Sequence, residues 1–587
     1  MASNKIYWKN EEELNPNDSM VQKLSENEFP EEIPVDEFLG DKETLSDSKT
    51  NRRDFLKYVG FSTAAASVAA CEGPVIKSIP YVVQPEQIVP GVANYYATTI
   101  ANGFDFASIL IKTREGRPIK VENNKEAKTS GSANARIQAS VLSLYDSTRV
   151  QGPLSNGEPV EWAILDANVK AKLGALKDSG RQVVLLTQTY ASPSTANLIA
   201  DFTAAFPNTK HIAYDAISQD TALNAFEMTY GERAMADYHF EKAELIVSFG
   251  ADFLGDWQGG GYDAGYSRGR VPKAGKMSRH IQFESNMSLT GANADKRIPL
   301  KPSEQKKALA ALYGKLNNGK VSTDLSEGVL AMVDMTAAEI RKMGSKAVVV
   351  SGIDDVDAQR VILAINEMLS SEAFDTSAPK YTRQGNTEDV QQLITDMKAG
   401  SVGMLIMDGV NPMFTLPNAA DFAEGLEKVD VSVTFSTNWN ETTERTQFTA
   451  AANHYLESWG DAELKKGHYS LMQPTIKELF DTRQFQQALL SWMGNDQSYY
   501  EYIKNFWTTS VLGDASWNQA LHDGVFNSTN MSEDTTTSEV PDDSEAADNM
   551  ALMSAVQRLA MTTSEGMELV LYPKIGMGDG QQANNPW

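Results

Sequence analysis

The 587-residue chain has one cysteine, Cys71. A lone thiol cannot close an internal disulfide, build a zinc site of the usual kind or hold an iron–sulfur cluster, because each needs several sulfur ligands. Long apolar runs are missing too: no stretch of about 18 apolar residues occurs, so nothing reads as a membrane-spanning helix. Histidine is scarce. His211, His239, His280, His454, His468 and His522 are scattered without ligand spacing and read as structural or surface residues. Positive charge is in deficit, with 52 Lys and Arg against 78 Asp and Glu and a formal charge of −26. Nucleic acid and anionic lipid headgroups would be repelled, so basic proteins or simple solubility explain the acidity better.

What is present begins with length. A chain this long exceeds one core and points to about three or four domains. Its 41% hydrophobic and 22% charged residues are ordinary for a globular protein. Residues 1–50 carry thirteen acids against five lysines and bury little, so they read as an acidic extended leader. Residues 51–71 then match a targeting signal. Asn51-Arg52-Arg53-Asp54-Phe55-Leu56-Lys57 reads as a twin-arginine export motif, followed by a weakly apolar run from Tyr58 to Ala70. Val68-Ala69-Ala70-Cys71 has the form of a lipobox, with Cys71 as the lipidated residue. The alternative is a short amphipathic helix with a buried cysteine.

A Pro-rich connector (residues 72–94) leads into a small β-rich domain (95–160), where Phe106 to Lys112 and Pro118 to Glu122 predict a hairpin around Arg114 to Arg117. Ala163 to Leu176 has helical spacing. Four short apolar strands follow, at 182–187, 245–250, 347–352 and 404–409, each separated from the next by helical patterns. Strands buried on both faces and alternating with helices imply doubly wound parallel sheets. We divide this part into a first α/β domain (161–345) and a second (346–495). Residues 496–565 read as a helical, acidic insertion, in which Ser532 to Asp548 holds seven acids and no base. Gly259-Gly260-Gly261 is too irregular for a nucleotide loop and reads as a turn.

Several motifs carry a resemblance. These are Ser143-Leu144-Tyr145-Asp146-Ser147-Thr148-Arg149 with Gly152-Pro153-Leu154 and Glu161-Trp162; Ala243 to Asp252; Ala292-Asn293-Ala294-Asp295 with Ile298 to Pro302; Asp408-Gly409-Val410-Asn411-Pro412; and Glu441-Thr442-Thr443 with Tyr455 to Gly460. In this order they resemble the molybdopterin oxidoreductases, and specifically the large iron–sulfur subunit of bacterial alternative complex III. The leader, with Tyr7-Trp8-Lys9 and Glu12 to Pro16, looks like the extended Tat-type leader of such proteins. The resemblance implies an α/β, molybdopterin-oxidoreductase-like multidomain fold. It also implies haem c and iron–sulfur subunits and integral membrane quinol-binding subunits as partners, on the periplasmic side of the inner membrane. Membrane contact would come through partners or a lipid on Cys71. Residues 566–587 look like the start of the family's β-barrel domain, and iron–sulfur clusters are expected in a C-terminal continuation.

The chain departs from the family where cofactors bind. In place of the cluster cysteines stand Ala97-Thr98-Thr99 and Ser130-Gly131-Ser132-Ala133, which cannot replace thiolates on iron. The metal-ligating cysteine corresponds roughly to Ala213 to Ala216, where Asp215 could ligate molybdenum. Two pterin turns acquire acids, Asp252 and Glu304, which would repel a pyrophosphate. No cofactor is therefore expected within residues 1–587, and the chain is expected to be a non-catalytic subunit region of a quinol-oxidising complex. An active periplasmic molybdopterin oxidoreductase using Asp215, and an exported lipoprotein binding a small ligand in a vestigial cleft, are the alternatives.

Overall fold

The computed structural model describes residues 91–127, 133–272, 276–528, 542–583 and 585, all within one compact unit, Glu86–Trp587. The leader, Arg52, Arg53, Cys71 and Ser130-Gly131-Ser132 lie outside the described residues.

Two parallel sheets organise the fold. In the larger, Phe448–Ala451, Val431–Ser436, Val402–Asp408, Gln182–Thr187 and Thr209–Ala213 run parallel in that order. An antiparallel pair, Leu154–Ser155 and Glu158–Pro159, extends its edge to seven strands. The smaller sheet orders Lys296–Pro299, Arg279–Glu284, Leu245–Phe249 and Ala347–Ser351, again parallel. The apolar runs seen in the sequence follow from burial on both faces. Val183 and Leu185 enter one core while Val184 and Leu186 enter another, and Leu245 and Val247 are separated from Ile246 in the same way. Helix Trp162–Leu176 covers the larger sheet with Leu165, Val169, Leu173 and Leu176, a stripe at helical spacing.

Two antiparallel sheets complete the molecule. The expected hairpin is present as Phe106–Arg114 and Arg117–Asn123, with Ala93–Ala101 as a third strand beside it. A five-stranded sheet joins Val525–Asn527, His468–Met472, Gly460–Lys465, Phe374–Lys380 and Met235–Tyr238.

Three of the domain expectations differ from the structure. The 345/346 boundary does not separate the parallel sheets: Gln182–Thr187 pairs with Val402–Asp408, and Ala347–Ser351 pairs with Leu245–Phe249. The smaller sheet is thus inserted between two halves of the larger one. The reason is that a buried apolar strand carries no mark of which sheet it joins; pairing is decided by contacts far apart in the chain. Residues 496–565, read as a helical, acidic insertion, also contribute to the cores, and residues 529–541, with much of its acidic run, lie outside the described residues. Val556, Leu559 and Ala560 of helix Asp542–Ala560 pack into the core of the smaller sheet, and Trp507 and Trp517 form a core with Leu471. Finally, no strand occurs among the described residues after Asn527, so residues 566–583 do not form a barrel strand here.

Candidate ligand cleft

In the larger sheet, strands Gln182–Thr187 and Val402–Asp408 are neighbours from which the chain winds outward in opposite directions. Ligands of open α/β sheets dock at the carboxyl ends of strands at such a switch point. A cleft of about 1050 Å³ opens there, lined by Gln188, Asp215, Asp408, Gly409, Ser436 and Ala452 from the strand ends, with aromatic walls that include Tyr190, Trp439, Trp459 and Phe485. Six carboxylates line it, Asp146, Asp215, Asp408, Glu441, Asp461 and Asp579, and no Lys or Arg does among the described residues.

The carboxylates are held by hydrogen bonds, not by ion pairs. Asp408 accepts from the Tyr190 hydroxyl. Burial pushes its carboxyl up to about 6, an effect that the Tyr190 hydrogen bond only partly offsets. Asp579 is likewise pushed up to about 6 by burial. Asp461 accepts from Ser194 Oγ at 2.7 Å and Trp507 Nε1 at 2.7 Å, and burial raises it too. Asp215 is 8% exposed. Its Oδ1 accepts from Thr189 Oγ1 at 2.7 Å, and its Oδ2 from the backbone N–H groups of Gln384 at 3.1 Å and Gly385 at 2.8 Å. With three donors on its two oxygens, this carboxylate ties the 384–385 turn to Thr189. His454, also on the cleft wall, is held down to about 3 by burial, so the ring is neutral at neutral pH. Among the described residues no group of three or more His, Cys, Asp or Glu converges as a metal site.

Beneath the cleft lies a node of buried charge. Arg136 bridges Asp105, with Nη2 to Oδ1 at 2.7 Å, and Asp256, with Nη1 to Oδ2 at 2.9 Å, and donates to the Ile575 carbonyl. Arg383, only 2% exposed, donates to the carbonyls of Thr382 and Gly103 and lies 4.8 Å from the Phe104 ring. Scattered through the chain as separate residues, Arg136, Arg383, Tyr190 and the C-terminal Asp579 had no sequence signal that would gather them.

The smaller sheet also has a switch point, between Leu245–Phe249 and Ala347–Ser351. A Cβ on Gly352 would overlap the Gly250 carbonyl, so the two turns pack backbone to backbone. The acids that replace the family's pterin turns are occupied. Asp252 Oδ1 accepts from Thr290 N at 2.9 Å and Thr290 Oγ1 at 2.6 Å. Glu304 accepts from Lys301 N at 2.9 Å, half of a capping box at the start of helix Pro302–Leu316. Glu568, absent from the sequence reading, accepts from Ser303 N at 2.8 Å and Ser303 Oγ at 2.7 Å.

The resemblance motifs turn out to be joints. Arg149 and Glu457, from the first and last motifs, form a fully buried bidentate pair at 2.6 and 3.2 Å. Asn411 Oδ1 accepts from Thr442 Oγ1 at 2.6 Å, and Asn411 Nδ2 donates to Glu441 at 2.8 Å, tying Asp408–Pro412 to Glu441–Thr443. Where cluster cysteines would stand, Thr98 and Thr99 are fully buried and donate to the Gln473 and Leu471 carbonyls.

No family model matches the chain. The menaquinone reductase molybdopterin-binding-like subunit of Nitratidesulfovibrio vulgaris is 21% identical over 506 residues, covering 75% of this chain and 71% of that one. Among solved structures, the acetylene hydratase from Pelobacter acetylenicus superposes with a TM-score of 0.56 at 13% identity, covering 74% of each chain.

Proposed function

With a molybdopterin-oxidoreductase-like fold as the premise, we propose that this chain is a catalytically silent subunit of a membrane-associated, quinone-linked respiratory complex. It would serve as a docking scaffold on the periplasmic side. Electrons would pass through iron–sulfur and haem groups of its partners or of a continuation of the chain, as in alternative complex III. The name of the Nitratidesulfovibrio relative supports the quinone-linked setting.

The observation that carries the silent role is the charge of the cleft. A molybdopterin dinucleotide brings a pyrophosphate, which needs cations or free N–H donors. The cleft offers six carboxylates and no Lys or Arg. Two like charges about 4 Å apart at an effective dielectric near 20 repel by about 4 kcal/mol, so carboxylates lining the cleft disfavour a pyrophosphate within it. The residues present therefore do not fit the group, and no step is assigned to it. A metal on Asp215 would have to compete with the hydrogen bonds its oxygens already accept from Thr189, Gln384 and Gly385.

Metal and pterin analysis of the purified complex tests the proposal. The expected result is molybdenum and tungsten far below stoichiometry and no pterin fluorescence after acid oxidation. Stoichiometric metal with pterin would instead establish an active oxidoreductase.

A further inference from the structure

Large aromatic rings are mostly buried in folded chains, yet three that line the cleft of the larger sheet stand open: Tyr145 is 47% exposed, Phe414 61% and Trp439 41%. Exposed aromatic residues around a concavity are the anchors that protein partners use most. Two carboxylates share this rim. Asp146 accepts from Asn438 Nδ2 at 3.2 Å, beside Trp439, and Glu441 follows two residues on. Burial would raise Asp146, but hydrogen bonds from Thr148 and Asn438 bring it below its ordinary value, and a hydrogen bond from Asn411 lowers Glu441. Both are therefore ionised at neutral pH. Inside, the Tyr190 ring stacks on Phe485 with centroids 6.2 Å apart, and its hydroxyl donates to Asp408. Asn453 Oδ1, on the same wall, is shielded from solvent and accepts no hydrogen bond among the described residues, which leaves it open to an N–H donor. The neighbouring arginines do not line the cleft: Arg136 is paired with Asp105 and Asp256, and Arg383 packs on the rings of Phe104 and Phe106.

We propose that this cleft is the socket for a lysine- or arginine-bearing segment of a partner protein. The faces of Trp439 and Trp459 attract an ammonium or guanidinium group, and the rim carboxylates pair with it. Backbone or side-chain N–H groups of the segment would reach Asn453. A volume of about 1050 Å³ lies at the top of the range of small-molecule pockets, about 300–1,000 Å³, and the aromatic rim is open to solvent, so a polypeptide fits better than a small cation. The net charge of −26 draws basic segments to the chain as a whole, and the aromatic rim selects the cleft from the rest of the acidic surface. The proposal rests on the silent-subunit reading, because a partner segment would fill the space that a cofactor needs. It gives the docking role of that reading a place and a chemistry.

Fluorescence anisotropy of a labelled Lys-Gly-Lys-Gly-Lys peptide, titrated with the full chain at constant ionic strength, tests this beside the same peptide with Glu in place of Lys. The lysine peptide should bind and the glutamate peptide should not. Trp439→Ala and Glu441→Gln should each weaken binding by about tenfold, as loss of an anchor does. Glu327→Gln, exposed and outside the cleft, should leave it unchanged. Both cleft residues are exposed, so thermal midpoints should stay near the wild type; if Trp439→Ala unfolds, Phe414→Ala takes its place. The proposal is overturned if the lysine peptide does not bind, if the two cleft variants bind it like the wild type, or if Glu327→Gln weakens it as much as they do. Displacement by spermidine at equal concentration would also overturn it, by making the site one for a small organic cation. Molybdenum and pterin content is read separately: their presence would sink the silent-subunit reading, whereas their absence without peptide binding sinks this proposal alone.

Discussion

Single residues in this molecule matter most where charge is buried. Glu457 takes both Arg149 nitrogens and also the backbone N–H groups of His454 at 2.8 Å and Leu479 at 3.0 Å, with no solvent contact. Removing one partner of such a pair leaves an uncompensated buried charge, at a cost of about 3–5 kcal/mol. Arg149→Met should lower the unfolding free energy measured by urea titration by that much; a loss below about 1 kcal/mol would show that the pair is not a fastener. Asp408 gives a second case, through pH. Its folded carboxyl is raised from 3.8 to about 6. The folded state therefore keeps its proton after the unfolded chain has lost one, and stability falls as pH rises from about 4 to 6. Asp408→Asn should flatten part of that decline in thermal midpoints measured across the interval, with Asp579, Asp461 and Glu463, all raised by burial, contributing in the same direction. Neither partnership was legible in the sequence. Arg149 and Glu457 stand out there as motif letters, and only the fold shows that they are one contact.

At the scale of elements, local pattern carried more. Gln182–Thr187 and the helix that precedes it are readable because an apolar run and a four-residue stripe are local properties. The third strand, Ala93–Ala101, was obscured because exposed Tyr95 and Tyr96 interrupt its alternation and it follows a proline-rich stretch. Glycines separate by surroundings in the same way. Gly174 sits on the exposed side of helix Trp162–Leu176 with open space around it, whereas Gly352 meets the Gly250 backbone. Gly174→Ala should stabilise by about 0.5–1 kcal/mol through helix propensity. Gly352→Ala should destabilise by about 1–3 kcal/mol, because neither backbone can yield without moving a sheet. Thermal midpoints shifting in the same direction for both would contradict the close packing of Gly352 on the Gly250 backbone.

Across the whole molecule, the interleaving of the two parallel sheets explains why domain boundaries were hidden while the fold class was not. Runs of Val, Ile and Leu report burial, but the pairing of 182–187 with 402–408 is a property of the assembled chain. The resemblance motifs are explained at this scale too: Arg149, Asn411, Thr442 and Glu457 join distant segments, so a chain can keep them without keeping a cofactor. Where the chain works is a proposal drawn from residues 51–71. Twin arginines before a weakly apolar run direct export of already folded proteins, which suits a subunit that assembles with metal-bearing partners, and Cys71 at the lipobox would then anchor it. A lipobox cysteine takes a diacylglyceryl group, and two acyl chains are enough for stable anchoring, so the lipid would hold the chain at the membrane with or without partner subunits. Replacing Arg52 and Arg53 by lysine should strand the chain in the cytoplasmic fraction. Cys71→Ser should leave export intact but abolish incorporation of labelled fatty acid. Undiminished export of the twin-lysine chain would remove the twin-arginine reading, and a wild-type chain that takes up no label would remove the lipoprotein reading and leave partner contacts as the proposed attachment to the membrane.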